Sequence, residues 1–155
     1  MKTDLAHLPA DRLAQIRQLV ELIRRAADVE MIILFGPHAS GGDCGRVHRL
    51  DDGSQQVYCD LDFLVLVADK RIEKHLEQDA DLRTEFLRVS ESTPVNCIVH
   101  TLGHANQMLA QRRYFFMDVV HGGILLYDSG RYDLNEPPDA LSADERLRQA
   151  VATIA

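Results

Sequence analysis

Apolar positions along the chain follow two kinds of pattern. Leu13, Ile16, Val20, Ile23 and Ala27 recur every three or four residues with charged residues between them, the period of an amphipathic helix. Pro9 stands just before them, and its fixed φ suits a first helical turn; a helix is predicted from about Ala10 to Ala27. Met31-Ile-Ile-Leu-Phe35 is instead a continuous apolar run, closed by Gly36-Pro37, and reads as a strand buried on both faces. A second such run, Asp60-Leu-Asp-Phe-Leu-Val-Leu-Val67, predicts a second strand. The segment between them, from His38 to Tyr58, is polar and rich in Gly, Asp and Ser. A loop of that length is uncommon in a compact domain unless it is functional. Asp52-Gly53 within it is a candidate turn for a small hairpin.

Further on, Ile72, Leu76, Leu82, Phe86 and Val89 form an imperfect stripe, predicting a surface helix from Lys70 to Val89 that Pro94 ends. Val95-Asn-Cys-Ile-Val-His100 reads as a third strand. Leu102 to Arg112 and Tyr114 to His121 read as helices, the latter stopped by Gly122-Gly123, and Ile124-Leu-Leu-Tyr127 as a short edge strand. Pro137-Pro138 marks a linker from Asp133 to Asp139. Ser142-Ala-Asp-Glu145 has the spacing of a capping box and opens a helix through Arg146 to Ile154. The order of elements implies an α/β domain with a small mixed β-sheet and helices packed against it. Residues 1–136 are expected to form that domain. Residues 137–155 are expected to be a linker and the start of a C-terminal helix, either continuing into a longer parent or serving as a docking tail.

Composition narrows the class. The chain has 155 residues, 46% of them hydrophobic, with a net charge of −7: enough apolar material for one folded domain, and no basic stripe of the kind a duplex binder carries. No apolar run approaches a membrane span, the first residues lack the apolar core of a signal peptide, and a cytoplasmic protein is expected. Three cysteines at irregular spacing argue against a disulfide framework.

The candidate chemistry lies at the second strand. Asp is depleted in strands, yet Asp60 and Asp62 open this one. An i, i+2 pair points to one face with Cα atoms roughly 7 Å apart, a spacing suited to a divalent cation shared with phosphate. Gly36, at the end of a buried strand, would let a phosphate approach the backbone; a simple strand-ending turn is the plainer reading. His38, Cys44, His48 and Cys59 lack paired zinc-ligand spacing. Tyr114, Phe115 and Phe116 read as core packing, with base stacking as the minor alternative. His100 shares strand parity with Asn96, and His104 follows it closely; both histidines read as structural or partly exposed.

Leu34-Phe-Gly-Pro-His-Ala-Ser-Gly41 followed by Asp60-Leu-Asp-Phe resembles the polymerase-β-like nucleotidyltransferase superfamily, in particular its minimal members. Their pattern is a Gly-Ser turn after an apolar strand, then two acids opening the next strand. Pro94 to Thr101, Tyr114-Phe-Phe-Met-Asp118 and Gly123 to Ser129 extend the similarity to the N-terminal part of nucleotidyltransferase–HEPN two-domain proteins. The resemblance implies a nucleotidyltransferase-like fold and a Mg²⁺- or Mn²⁺-dependent enzyme. Such an enzyme would move a nucleoside monophosphate from a nucleoside triphosphate, with ATP expected, onto an acceptor hydroxyl. It implies Asp60 and Asp62 as catalytic metal ligands, Asn96 at the place of a third acid, and Gly36, Pro37, Ser40 and Gly41 along the nucleotide. It further implies a helical HEPN partner in a toxin–antitoxin-like system; a second copy of the chain is another candidate partner. Two positions depart from the pattern. Pro37 stands where the family has Ser and offers neither N–H nor hydroxyl. Asn96 has no charge and cannot act as a base. Both leave open a rival reading: a catalytically weak or inactive nucleotide-binding module of antitoxin type that docks a HEPN domain.

Overall fold

The structure is a computed structural model that describes residues 1–41, 47–49, 51–53, 55–57, 60–90, 93–135 and 142–154. The chain begins with α1 (Ala10–Ala26), where Ile16, Leu19 and Ile23 carry the buried face. It runs into β1 (Val29–Phe35), two residues longer at its start than the apolar run implied. Gly36 does not simply end the strand. It leads into a single helical turn, α2 (Pro37–Ser40), with Pro37 in the first turn and Gly41 closing it at φ 73°. β2 (Val47–Arg49) and β3 (Gln55–Val57) form the small antiparallel hairpin, with Gly53 between them at φ 84°. Residues 42–46, 50, 54 and 58 of the His38–Tyr58 loop, Cys44 among them, lie outside the described residues, as do Cys59 and 136–141 of the linker.

β4 (Leu61–Val67) starts one residue after Asp60. The predicted Lys70–Val89 helix is two helices, α3 (Lys70–Glu77) and α4 (Ala80–Ser90). Asp79 accounts for the break, because its Oδ1 accepts from Leu82 N at 3.0 Å and starts a new helix, as Asp69 does for Ile72 N at 3.0 Å. The step from Leu76 to Leu82 likewise does not fit one continuous stripe at 3.6 residues per turn. β5 (Val95–Thr101), α5 (Leu102–Ala110), α6 (Tyr114–Gly122) and β6 (Ile124–Asp128) follow. α7 (Ala143–Ile154) is the last element; Ser142 Oγ accepts from Glu145 N at 3.2 Å, as the capping spacing predicted.

The fold is α/β, with a four-stranded mixed sheet in the order β5-β4-β1-β6. β1 runs antiparallel to both its neighbours, and β4 runs parallel to β5. A parallel pair needs a crossover, and α3–α4 supply it. Alternate residues of the central strands feed two cores. Ile32, Leu34, Phe63 and Val65 pack with α1, α3 and α4; Ile33, Leu64 and Leu66 pack with α5 and α6. The central strands are therefore buried on both faces, the arrangement behind their unbroken apolar sequence. Among the described residues no helix is long and apolar enough to cross a membrane.

One buried acid lies at a register shift in β1. Glu30, 2% exposed, receives Arg131 Nε at 3.1 Å and Nη2 at 2.8 Å, and Ser129 Oγ at 2.5 Å. This network pins the segment after β6 to the start of β1 and satisfies a charge that burial would otherwise penalise.

Candidate functional site

Gly36, Asp62 and Asn96 meet at one end of the sheet. Phe35 pairs with Asp62 across β1 and β4, and Asp62 is level with Asn96 across β4 and β5. By strand alternation Asp62 and Asn96 face the α5–α6 side, together with Ile33 and Leu64. Asn96 Nδ2 donates to Asp62 Oδ1 at 3.3 Å. Asp60, half-buried, precedes the strand, and its Oδ1 atom is buried.

Gly36 lies directly beneath the Asp62 carboxylate. A Cβ on Gly36 would come within 2.4 Å of Asp62 Oδ2, and the backbone there has φ 77° and ψ −161°, a region essentially restricted to glycine. The glycine is thus required twice, for its dihedrals and for the space the carboxylate fills. Beyond it, Ala39 N and Ser40 N both donate to Gly36 O at 3.1 Å, and Gly41 N donates to Pro37 O at 2.9 Å. Pro37 has no N–H to offer at this turn. Ser40 Oγ donates to Pro37 O at 3.5 Å, and Gly41 sits at the exposed end of the turn. His38 O accepts from His7 Nε2 at 2.7 Å. Burial, followed by the charges of Arg12 and His7, lowers the His38 pKa below the ordinary histidine value.

A cavity of about 300 Å³ opens beside this turn. Phe35, Gly36 and Ser40 line one side; Phe115, Asp118, Val119 and Gly122 of α6 line the other. Phe35 and Phe115 meet edge to face, with ring centroids 5.5 Å apart. The sequence pattern did not single out Asp118. The signal was present: Phe115, Asp118, Val119 and Gly122 fall at i, i+3, i+4 and i+7, one helical face, and Asp118 is the one acid on it. The aromatic run splits accordingly. Phe116 is buried, Phe115 is partly buried against the cavity, and Tyr114 is 45% exposed rather than core.

His100 and His104 stack with ring centroids 4.9 Å apart, and both touch Phe116. Burial, then His104, lowers the His100 pKa.

Asp60 and Asp62 fit a hard divalent cation by ligand type. Among the described residues no cluster of three or more His, Cys, Asp or Glu side chains forms a protein-only cage. A cation here would share its coordination with ligand oxygens, the usual habit of Mg²⁺.

The helical tail docks on α6 through polar groups. Arg146 pairs with both oxygens of Asp118, through Nη1 to Oδ2 at 3.0 Å and through Nη2 to Oδ1. Arg112 Nη2 meets Glu145 Oε2 at 3.3 Å. Gln149 Oε1 accepts from Tyr114 N at 2.6 Å, and Gln149 Nε2 donates to Arg112 O at 2.5 Å. Leu147 and Val151, apolar residues of this helix, are 64% and 59% exposed.

No protein-family model matches the chain, and the search of curated proteins found no match. Among solved structures, the chain is similar to the crystal structure of a mutant toxin–antitoxin MntA-HpeT, at 17% sequence identity and a TM-score of 0.41. That likeness covers 89% of this chain and 82% of the other.

Proposed function

We propose that this protein binds a nucleoside triphosphate, with ATP expected, together with Mg²⁺ or Mn²⁺, and transfers its nucleoside monophosphate to an acceptor hydroxyl. The observation that carries this reading is the seating of Asp62 over the open face of Gly36. It sets a carboxylate directly against the backbone of the turn, with Asp60 two residues before Asp62 in the chain. Asp60 and Asp62 would hold the cation, and Gly36 with the Pro37–Gly41 turn would border the phosphates. The cation, when bound, supplies charge neutralisation and polarisation of the phosphate. Asn96 holds Asp62 by its amide and contributes no base.

Residues 1–136 would be the nucleotidyltransferase unit, and 137–155 the lead into a helical partner of HEPN type, on which the acceptor hydroxyl would reside in a toxin–antitoxin pair. The exposed Leu147 and Val151 support a partner at the tail. A second reading, a nucleotide-binding module without turnover, is favoured by Asn96 and Pro37.

Thermal unfolding with and without Mg²⁺ or Mn²⁺ and ATP tests the binding step. The ligand should raise the midpoint by linkage, and Asp60→Asn with Asp62→Asn should abolish the rise while the domain still folds. An undiminished ligand shift in that double variant removes the acids from the site. Incubation with labelled ATP and a helical partner then separates the two readings: label transfer identifies the enzyme, and binding without transfer identifies the module.

A further inference from the structure

The cavity beside Gly36 has the make-up of a pocket for a small organic group rather than for phosphate. Phe35, Phe115 and Val119 give it apolar walls, and among the described residues no Lys or Arg lines it. Its volume of about 300 Å³ lies at the small end of the range for ligand sites, which combine apolar lining with a few placed polar groups. Among the described residues, the one charged group in its wall is the Asp118 carboxylate, and that carboxylate is bridged on both oxygens by Arg146 of α7.

The pairing decides what Asp118 can do. A bare carboxylate beside a triphosphate site would repel the ligand. Paired with a guanidinium it carries little net charge toward the cavity, yet each carboxylate oxygen keeps lone pairs beyond the one that Arg146 uses. Such a group accepts hydrogen bonds from neutral O–H and N–H donors. A nucleoside offers these on its ribose and, in adenine, on its exocyclic amine, while its flat base suits the aromatic wall.

Resting on the nucleotide reading above, we infer that this cavity is the nucleoside subsite and that Asp118, held by Arg146, is its specificity-determining acceptor. The acid pair and the Gly36 turn would take the triphosphate, and α6 would take the nucleoside. α7 would act through Arg146 as a positioning element, fixing the carboxylate rather than touching the ligand.

Calorimetric titration of the whole chain with Mg²⁺ present, using ATP, 2′,3′-dideoxy-ATP, inosine triphosphate and inorganic tripolyphosphate, tests this. Asp118→Ala should weaken ATP by about 10–100-fold, the worth of hydrogen bonds to a charged acceptor, and leave tripolyphosphate binding unchanged. Where the wild type prefers ATP to the dideoxy analogue, the ribose is the donor. Where it prefers ATP to the inosine analogue, the amine is. The variant should lose that preference. Arg146→Gln keeps the acceptor while loosening it, and should cost ATP only a few-fold. Three results would overturn the subsite: ATP affinity equal in Asp118→Ala and wild type, tripolyphosphate lost in parallel with ATP, or Arg146→Gln as damaging as Asp118→Ala. Wild-type protein that binds neither ATP nor tripolyphosphate would overturn the nucleotide reading and the subsite together, a different outcome from tripolyphosphate bound without nucleoside discrimination.

Discussion

Replacing Gly36 with alanine puts the geometry of the site to a quantitative test. The added Cβ would lie 2.4 Å from Asp62 Oδ2 and 3.4 Å from its Cγ, distances that cannot both persist. An L-residue at φ 77° and ψ −161° costs about 1–3 kcal/mol in backbone strain. Turning the Asp62 side chain out of the way adds an off-rotamer cost of about 0.5–1.5 kcal/mol and breaks the contact with Asn96 Nδ2. The total, about 2–4 kcal/mol, corresponds to a drop of roughly 5–15 °C in Tm for a chain of this size. The diagnostic quantity is the coupling with Asp62. Deleting that side chain in Gly36→Ala/Asp62→Ala removes the collision and leaves only the dihedral strain. The double variant should therefore be more stable than the two single changes summed, by about 0.5–1.5 kcal/mol, the share assigned to the displaced carboxylate. Denaturant titration of all four proteins gives that number. Additive effects within about 0.5 kcal/mol would show that Asp62 does not rest on Gly36, and the proposed cation and phosphate site would lose its foundation.

Three further outcomes are expected. Gly123→Ala, whose Cβ would stand 2.3 Å from Val119 O and 2.8 Å from Ile33 Cγ2, should cost about 1–3 kcal/mol by overpacking; an unchanged denaturation midpoint would contradict the packing of α6 on β1. His38 and His100 have folded pKa values lowered chiefly by burial, so the unfolded chain binds protons first. Their share of stability is full above the ordinary histidine pKa near 6.5 and declines as pH falls toward the lowered folded values. His38→Gln with His100→Gln should flatten that part of the stability–pH curve, and an equally steep slope in the double variant would count against the assignment. Asn96→Asp should raise the rate of nucleotidyl transfer more than it changes nucleotide affinity; faster transfer by the natural protein than by the variant would mean that no acid is needed at this place.

What the sequence disclosed depended on how local the cause was. β1 and β4 were readable because helices cover both faces of the sheet, which forces continuous apolar runs. Their C-terminal ends at Phe35 and Val67 matched the apolar runs, whereas their starts did not; the parity of Asn96 followed from the two-residue period, and the observed register sets Asn96 level with Asp62 as that parity allowed. The break between α3 and α4 was local too, but Asp79 resembles any other helix-surface acid until its side chain is seen capping Leu82. Long-range pairings were opaque. Glu30 is tolerable in a buried strand because Ser129 and Arg131, 99 and 101 residues later, reach it. Asp118 takes its place in the cavity wall from the approach of α6 to Gly36, and its state from Arg146 on a helix after the linker. The helical period sets Asp118 on one face with Phe115, Val119 and Gly122, but neither period nor composition tells what that face or Glu30 meets.

The position of Asn96 bears on why the two functional readings compete. Its amide stands 3.3 Å from Asp62 Oδ1. A carboxylate there would face Asp62 at similar range, a repulsion of roughly 1 kcal/mol in water-like surroundings and about 5 kcal/mol at an effective dielectric of 20. Because Asn96 is exposed, the lower part of that range is the applicable one. A third acid therefore makes the site hold together best when a cation is present, whereas the amide donates to Asp62 and keeps the site assembled without one. The same substitution withdraws the charge that would retain a second cation and the base that would take the acceptor's proton. Readiness to bind and capacity to turn over are thus set in opposite directions by one side chain. Stability should report this directly: without metal, Asn96→Asp should melt below the natural protein, and Mg²⁺ should narrow the gap. A variant as stable as the natural protein in the absence of metal would show that the amide–carboxylate contact contributes nothing to holding Asp62 over Gly36.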